Sequence, residues 1–176
     1  MTLARGQVQV YTGNGKGKTT AALGLALRAV GRGLRVCVVQ FIKGGSPYGE
    51  HLAAERLAPL LTIHQTGRDC WIFKDKLDPE DISIAGRTLQ LARQVLTGGD
   101  YDLVILDEIN GAAWFGLIGV DDVLALIASR PQQVELVLTG RSADQRVIEA
   151  ADLVTEMVEV KHYFQAGVQG RTGIEK

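Results

Sequence analysis

The sequence predicts an α/β fold in which helices cover both faces of a mostly parallel central sheet. Short segments rich in β-branched and apolar residues alternate with helical segments along the chain, which is typical of parallel sheets. A segment rich in glycine and lysine separates the first predicted strand from the first predicted helix. With 176 residues the chain suits one domain, and we expect residues 1–176 to form that domain.

Six segments have the pattern of strands, at residues 7–11, 35–42, 60–65, 101–106, 134–139 and 153–160. The second (RVCVVQFI) and the fourth (YDLVIL) are mainly apolar, as expected of strands covered on both faces. Helical patterns lie between the strands at residues 19–32, 50–57, 78–96, 120–128 and 143–151. Residues 66–77 are predicted to form a loop, and the glycine-rich residues 165–176 form either an ordered flap or a frayed end.

Composition and charge argue against several classes of function. Lys and Arg number 19 and Asp and Glu number 20, so the net charge of −1 does not favour a nucleic-acid partner. No apolar run reaches the roughly 18 residues of a membrane helix, and the N-terminus lacks the pattern of a signal peptide. Cys37 and Cys70 form neither a disulfide framework nor a metal motif. These features predict a cytoplasmic protein with reduced thiols and no membrane segment.

The segment between the first strand and the first helix has the composition and the context of a phosphate-binding loop. Its glycines let backbone N–H groups turn toward phosphate oxygens, and the following helix adds the positive end of its dipole. Lys18 is expected to reach the outer phosphates, and the Thr19 hydroxyl is expected to ligate Mg²⁺. The residues predicted to bind the nucleotide here are Thr12, Gly13, Asn14, Gly15, Lys16, Gly17, Lys18, Thr19 and Thr20.

This loop predicts a P-loop (RecA-like) fold that binds MgATP. The usual pattern has glycine at the position held by Thr12, so Gly13 and Gly15 are expected to supply the freedom of the loop. A surface turn rich in glycine and lysine is the alternative. The flanking strand and helix favour the phosphate-binding loop over that alternative.

Two carboxylates follow a strongly apolar strand, in the sequence Asp102-Leu-Val-Ile-Leu-Asp107-Glu108. In a parallel sheet, ligands bind at the edge formed by the carboxyl ends of the strands. Asp107 or Glu108 is therefore expected to bind Mg²⁺ (or Mn²⁺), directly or through water. An acid that caps a following helix is the alternative, and the phosphate-binding loop favours the metal ligand. Asp102, at the start of the strand, is expected to lie on the surface.

Taken in order, several strings resemble those of the P-loop corrinoid adenosyltransferases. They are TGNGKGKTTAA at 12–22, VVQFIKG at 38–44, LVILDE at 103–108, TGR at 139–141, AADLVTEM at 150–157 and KHYFQAGVQGRTGIE at 161–175. The first string alone indicates only nucleotide binding, whereas the ordered set is specific to the family. The resemblance extends from about residue 6 to residue 175.

The resemblance implies an enzyme in which Co(I) of a corrinoid attacks the 5′ carbon of ATP and inorganic triphosphate leaves. The corrinoid substrate would be cobalamin, cobinamide or cobyrinic acid diamide, in synthesis or salvage of adenosylcobalamin. Lys16, Lys18, Thr19, the loop amides and Mg²⁺ would serve the leaving group, with Glu108 as a further catalytic residue. A base that activates water is not needed, because the nucleophile is cobalt. The resemblance also implies a homodimer and a flavodoxin-type reductant.

Members of the family use aromatic side chains near cobalt to displace its lower axial ligand. In the matching segment, residues 67–74 (GRDCWIFK), Trp71 and Phe73 are the candidates, although the spacing of the family is not kept. A loop anchored to the core by two aromatics is an equally weighted alternative. Trp114 and Phe115 are rival candidates. Longer members carry an N-terminal helix over the corrinoid, and because this chain begins later, we expect that cover from elsewhere, for example the partner subunit.

Two residues near the predicted ligand edge have no role that their spacing settles. Arg141 follows a strand that ends in Thr-Gly, so it is either a phosphate contact or a solvated surface arginine. His162 matches the family string, and a structural role is favoured over a contact with ATP or corrinoid. The loop by itself also fits a small-molecule kinase or NTPase, or a recombinase-like module that binds single-stranded nucleic acid. The acidic balance argues against the last of these.

Overall fold

The computed structural model describes residues 3–45, 47–68 and 72–175, and its described residues form one six-stranded sheet. The strands are β1 (Val8–Thr12), β2 (Val36–Gln40), β3 (Leu61–Gln65), β4 (Leu103–Asp107), β5 (Glu135–Thr139) and β6 (Leu153–Glu156). Their order across the sheet is β3-β2-β4-β5-β1-β6, and every pairing is parallel. The carboxyl ends of β1, β2, β4 and β5 therefore meet at one edge, where the sequence places its candidate site.

Helices cover both faces of this sheet, as predicted. They are α1 (Lys18–Val30), α2 (Gly49–Leu57), α3 (Pro79–Thr97), α4 (Ile109–Phe115), α5 (Val120–Ser129) and α6 (Gln145–Glu149). In β4, Ile105 packs in the cluster that contains residues of α1 and α2, while Val104 and Leu106 pack in the cluster that contains residues of α3, α5 and α6. This alternation follows from the two-residue period of a strand, and it explains why β4 is apolar at consecutive positions.

The predicted single-domain P-loop α/β fold is confirmed, with differences at particular elements. β6 ends at Glu156, earlier than the predicted strand, and α4 was not predicted. Among the described helices, none has both the length and the apolar character that crossing a membrane requires.

The expectation that Asp102 lies on the surface is wrong. Its side chain is buried, because its Oδ2 atom accepts a hydrogen bond from the backbone N of Arg35 at 2.8 Å. The contact joins the entry of β4 to the entry of β2, two strands far apart in sequence that pair in the sheet. From the neighbouring residues alone, a buried carboxylate before a strand cannot be told from a solvated one. Its hydrogen-bond partner becomes known only when the pairing of the strands is known.

Candidate active site

A cleft of about 510 Å³ opens at the carboxyl edge of the sheet. We call it the nucleotide cleft; its lining includes residues 15–20, Lys43, Glu108, Arg141, His162 and residues 173–175. The first group belongs to the phosphate-binding loop and the start of α1, and the last two belong to the C-terminal tail. The cleft therefore brings together the loop, the end of β4 and the tail, which are distant in sequence.

The phosphate-binding loop is shaped by two close approaches of its backbone. Gly13 has a φ of 92°, and a Cβ atom there would lie 2.5 Å from the carbonyl oxygen of Met157. Gly15 donates its backbone N–H to the same carbonyl oxygen at 2.6 Å, and its own Cβ would lie 2.8 Å from that oxygen. A side chain at either position would push the loop away from the segment after β6, so glycine is required here.

Lys18 is the first residue of α1, and its ammonium lies inside the curve of the loop. Its Nζ donates to the carbonyl oxygens of Gly13 and Gly15, both at 2.8 Å. Burial lowers the pKa of Lys18, and the nearby carboxylate of Glu108 opposes that shift. The loop thus holds a partly desolvated cation beside the cleft, where its charge acts strongly on an anion.

Asp107 ends β4 and is fully buried, with donors on both of its carboxylate oxygens. Its Oδ1 accepts from the hydroxyls of Thr19 at 2.9 Å and Thr139 at 2.6 Å. Its Oδ2 accepts from Lys43 Nζ at 2.7 Å, and Gln40 Nε2 lies 3.4 Å away. A buried carboxylate needs such partners, because an unpaired charge would be costly to desolvate.

Glu108, the next residue, adopts a left-handed backbone conformation with φ 62° and ψ 18°. Its backbone N donates to Thr139 Oγ1 at 2.9 Å, which fixes the turn from β4 into α4. Burial raises the pKa of Glu108, the charge of Asp107 raises it further, and Lys43, Lys18 and Arg141 act in the opposite direction. Backbone strain and a perturbed carboxylate both occur often at functional positions.

The oxygen atoms of Thr19, Asp107 and Glu108 fit a divalent cation such as Mg²⁺. Thr19 Oγ1 and Asp107 Oδ1 are 2.9 Å apart; Thr19 and Glu108 line the nucleotide cleft, whereas Asp107 is fully buried. Hydroxyl and carboxylate oxygens are the ligands that Mg²⁺ prefers, usually completed by water and phosphate. The fold brings two of the predicted donors, Thr19 and Asp107, into contact, and the role of Glu108 as a metal ligand stays a prediction.

The predicted nucleotide-binding residues separate into two groups. Residues 15–20 and Arg141 line the nucleotide cleft, whereas residues 12–14 are not part of its lining. Thr12 is buried, and its hydroxyl accepts from the backbone N of Ala143 at 3.1 Å. The contribution of Thr12 is to join β1 to the loop after β5.

The predicted aromatic wall is described only in part. Trp71 lies outside the described residues, and Phe73 is 66% exposed on the loop before α3. Trp114 is 45% exposed, its ring lies 4.4 Å from Lys74 Nζ, and its neighbour Phe115 packs against it edge to face. The exposure of Phe73 does not fit the alternative in which this side chain anchors the loop to the core.

Sequence reasoning missed Lys43 and Thr139, although both occur in the strings quoted for the family. Lys43 follows the end of β2, and Thr139 is the last residue of β5. Both strands end at the same edge as β4, so the rule that singled out Asp107 applies to them too. The order of the strands, which decides that all three ends meet, is not visible in the sequence.

The C-terminal tail forms one wall of the cleft and is held by contacts within itself. Tyr163 Oη donates to Glu175 Oε1, and Arg171 Nη2 donates to the same oxygen at 3.0 Å. His162 Nδ1 accepts from the backbone N of Phe164 at 3.1 Å and caps the 3₁₀ helix Tyr163–Ala166. His162 thus caps this helix and also lines the cleft, so both roles left open by the sequence, a structural one and a ligand contact, stay predictions.

Comparison with solved structures bears on the fold alone. The flagellar accessory protein FlaH from Methanocaldococcus jannaschii matches with a TM-score of 0.57 at 13% sequence identity. The match covers 88% of this chain and 72% of that chain.

Comparison with protein families and curated proteins identifies the relatives of this chain. The model of the family described as ATP:corrinoid adenosyltransferase BtuR/CobO/CobP matches residues 4–175. A corrinoid adenosyltransferase of Pseudomonas aeruginosa is 43% identical, over 97% of this chain and 84% of the relative. One of Escherichia coli K12 is 39% identical, and one of Salmonella typhimurium is 36% identical, each over 97% of this chain and 86% of the relative. The chain therefore belongs to the ATP:corrinoid adenosyltransferase family of enzymes.

Proposed function

We propose that the nucleotide cleft binds MgATP and that the chain transfers the 5′-deoxyadenosyl group to the Co(I) centre of a corrinoid. The carrying observation is the convergence of the phosphate-binding loop on a buried carboxylate, with Thr19 Oγ1 2.9 Å from Asp107 Oδ1. Such an arrangement suits a reaction in which a polyphosphate accumulates charge. The reaction serves the synthesis or salvage of adenosylcobalamin.

The step forms a cobalt–carbon bond and breaks the bond between C5′ and the α-phosphate oxygen. The electron pair of the broken bond leaves on triphosphate, so the protein has to stabilise a more negative leaving group. Lys18, Lys16 and Arg141, together with the loop amides, supply positive charge and N–H donors on that side of the cleft. Lys18 would exchange the carbonyls of Gly13 and Gly15 for phosphate oxygens.

The divalent cation, Mg²⁺ or Mn²⁺, would be held by Thr19, Asp107 and Glu108. When bound, it neutralises phosphate charge and aligns the triphosphate. The buried partners of Asp107 keep its carboxylate in place, and the turn at Glu108 directs the second carboxylate into the same cleft. These residues need to supply only orientation and charge, because cobalt is the nucleophile.

Phe73, with Trp71, is proposed to form the aromatic wall beside the corrinoid, and Trp114 and Phe115 remain its rivals. The wide exposure of Phe73 supports this role, since an exposed aromatic face can be covered by a flat macrocycle. We further propose a homodimer that receives electrons from a flavodoxin-type reductant. Membership of the family supports both the second subunit and the reductant. The exposed Leu153 and Val154 on the edge strand β6 support association of two copies of the chain.

We also propose that the chain works in the cytoplasm as a single domain over residues 1–176. The free thiol of Cys37 is buried, and burial raises its pKa to about 12, so it is present as an unreactive thiol. A reduced, buried cysteine suits a reducing compartment.

The test is anaerobic incubation of the protein with ATP, Mg²⁺ and chemically reduced corrinoid. We expect the Co(I) absorption to disappear while inorganic triphosphate is released in equal amount. Release of ADP and phosphate instead would contradict the proposal and support a small-molecule kinase or NTPase. Binding of single-stranded nucleic acid in a salt titration would support the recombinase-like alternative.

A further inference from the structure

A second lysine, outside the phosphate-binding loop, lies against the buried carboxylate of the cleft. Lys43 follows β2, and its Nζ is 2.7 Å from Asp107 Oδ2 and 3.0 Å from Thr19 Oγ1. Its side chain is 24% exposed, and the residue lines the nucleotide cleft. Lys43 thus reaches the cleft from the end of β2, whereas Lys18 follows β1, and β4 and β5 lie between these two strands.

Lys43 contacts two of the atoms that suit a divalent cation. An ammonium at Thr19 Oγ1 and Asp107 Oδ2 would repel a Mg²⁺ ion held by the same hydroxyl and the same carboxylate, so the two cations compete for Asp107 and Thr19. Asp107 does not need both, because Thr139 and Gln40 remain beside its two oxygens. Lysine is a compact charge on a flexible four-carbon stem, so its ammonium can turn from the carboxylate toward the cleft.

The backbone of Lys43 is held in place by contacts that do not involve its side chain. The Lys43 carbonyl oxygen accepts from Gly67 N at 2.9 Å, and Gly44 packs directly against the backbone of Arg68. Arg68 in turn contacts the carboxylates of residues 78, 80 and 81 at the start of α3. The point from which the side chain extends is therefore anchored to the neighbouring loop.

We propose that Lys43 is a second polyphosphate-binding lysine, which leaves Asp107 and Thr19 for an outer phosphate of the triphosphate when the divalent cation arrives. The proposal rests on the proposed function and deepens it. Asp107 has paired with Lys43 before the metal binds, so the carboxylate is never left without a counter-charge. Lys18 and Lys43 then hold the leaving triphosphate from two strand ends.

The first test is calorimetric titration with tripolyphosphate in EDTA and in Mg²⁺. We expect Lys43→Met to lower the affinity about tenfold in Mg²⁺, as expected for loss of one charge-assisted contact. Arg93→Met is the matched control. Arg93 is an exposed residue of α3 that is not part of the cleft lining, so its loss should leave the affinity unchanged. Equal affinities of Lys43→Met and wild type in Mg²⁺ would overturn the proposal.

The second test separates a phosphate contact from simple neutralisation of Asp107. Asp107→Asn should raise the affinity for tripolyphosphate in EDTA by about threefold or more, because it releases Lys43. Adding Lys43→Met in that background should then lower the affinity, and this double variant carries no unpaired buried charge that would threaten folding. No loss in the double variant would show that Lys43 acts only on Asp107 and would overturn the proposal.

The outcome is distinguishable from failure of the proposed function. If wild type binds tripolyphosphate as described but releases ADP in the anaerobic assay, the adenosyl transfer is wrong and the role of Lys43 stands. If adenosyl transfer occurs but Lys43→Met leaves the affinity for tripolyphosphate unchanged in every background, the proposed function stands and the role of Lys43 is wrong.

Discussion

The floor of the nucleotide cleft and the segments around it are built in opposite ways. The floor, formed by Lys18, Asp107 and Thr139, lies on strand ends or at a helix start and is almost fully buried. The segments around it are the C-terminal tail, residues 161–175, and the loop at residues 72–77; each exposes a large apolar side chain, Ile174 at 59% and Phe73 at 66%. The floor is held by contacts across the sheet, whereas the tail is held by contacts within itself.

This difference indicates which part of the chain serves the chemical step and which part serves substrate binding. A leaving triphosphate requires charges at defined positions, and the packed sheet fixes the backbone from which the charged side chains extend. A large corrinoid has to enter and leave, and segments with few buried contacts can open at low cost. Changes in the floor should therefore affect the chemistry most, and changes in the segments around it should affect substrate binding.

The largest expected effect comes from the floor, with Lys18→Ala. Loss of the ammonium should reduce turnover by about 10³-fold, because one preorganised charge at a developing anion contributes on this scale. The fold should survive, since the freed carbonyls of Gly13 and Gly15 lie beside an open cleft where water can reach them. Anaerobic Co(I) assays and circular dichroism would measure both effects. Turnover at the wild-type level would contradict the role of Lys18.

Glu108→Gln should separate function from stability next to the floor, one residue after Asp107. We expect activity at limiting Mg²⁺ to fall about 10–100-fold, as for loss of a metal-positioning group. The folded-state pKa of Glu108 lies above its ordinary value of 4.5. The folded protein therefore binds this proton more tightly than the unfolded chain, and the stabilisation is complete below pH 4.5 and lost as pH rises through the folded pKa.

At neutral pH the charged Glu108 therefore opposes folding, and the neutral glutamine should raise the midpoint of thermal unfolding. Thermal scans between pH 4 and pH 8 would compare the two proteins, with the difference growing toward neutral pH. A variant that is less stable than wild type at pH 7 would show that the carboxylate stabilises the fold in its charged form.

Phe73→Ala tests the loop before α3. Removal of the ring should raise KM for the corrinoid about threefold to tenfold, the range of one aromatic contact, and leave KM for ATP unchanged. Stability should not change, because the side chain is largely exposed. Trp114→Ala, measured in the same assay, is the matched comparison. If only the Trp114 variant alters KM for the corrinoid, the aromatic wall lies on α4.

The smallest effect is expected from Glu175→Gln in the tail. Hydrogen bonds from Arg171 and Tyr163 lower the pKa of Glu175 from its ordinary value of 4.5 to about 2. The stabilisation of the tail by this carboxylate is therefore present above pH 4.5 and is lost as pH falls through about 2. At pH 7 the variant should raise KM for ATP about twofold to threefold, as expected for an exposed ion pair.

Tryptic cleavage after Arg171 should also become faster in the Glu175 variant, while global unfolding stays the same. Glu159→Gln is the charge-matched control in the same tail, because it removes a carboxylate charge but keeps an Oε1 that can accept from Gln165 Nε2, a contact of 2.7 Å in wild type. Identical cleavage rates in wild type and the Glu175 variant would mean that these ion pairs do not hold the wall of the cleft.

The sequence by itself determined the local chemistry of this protein. A glycine-rich loop between a strand and a helix, and carboxylates at the end of an apolar strand, are local patterns with a direct physical meaning. The alternation of strands and helices likewise predicted the layers of the fold, and the ordered strings predicted the family.

The tertiary structure alone decided which of these groups meet. Lys43 and Thr139 reach Asp107 because β2 and β5 flank β4, and Asp102 is buried because the entries of β2 and β4 are adjacent. Strand order depends on the packing of the whole chain rather than on neighbouring residues, so it cannot be predicted from a local sequence pattern. The left-handed turn at Glu108 has the same origin, since a contact with Thr139 of the next strand holds it.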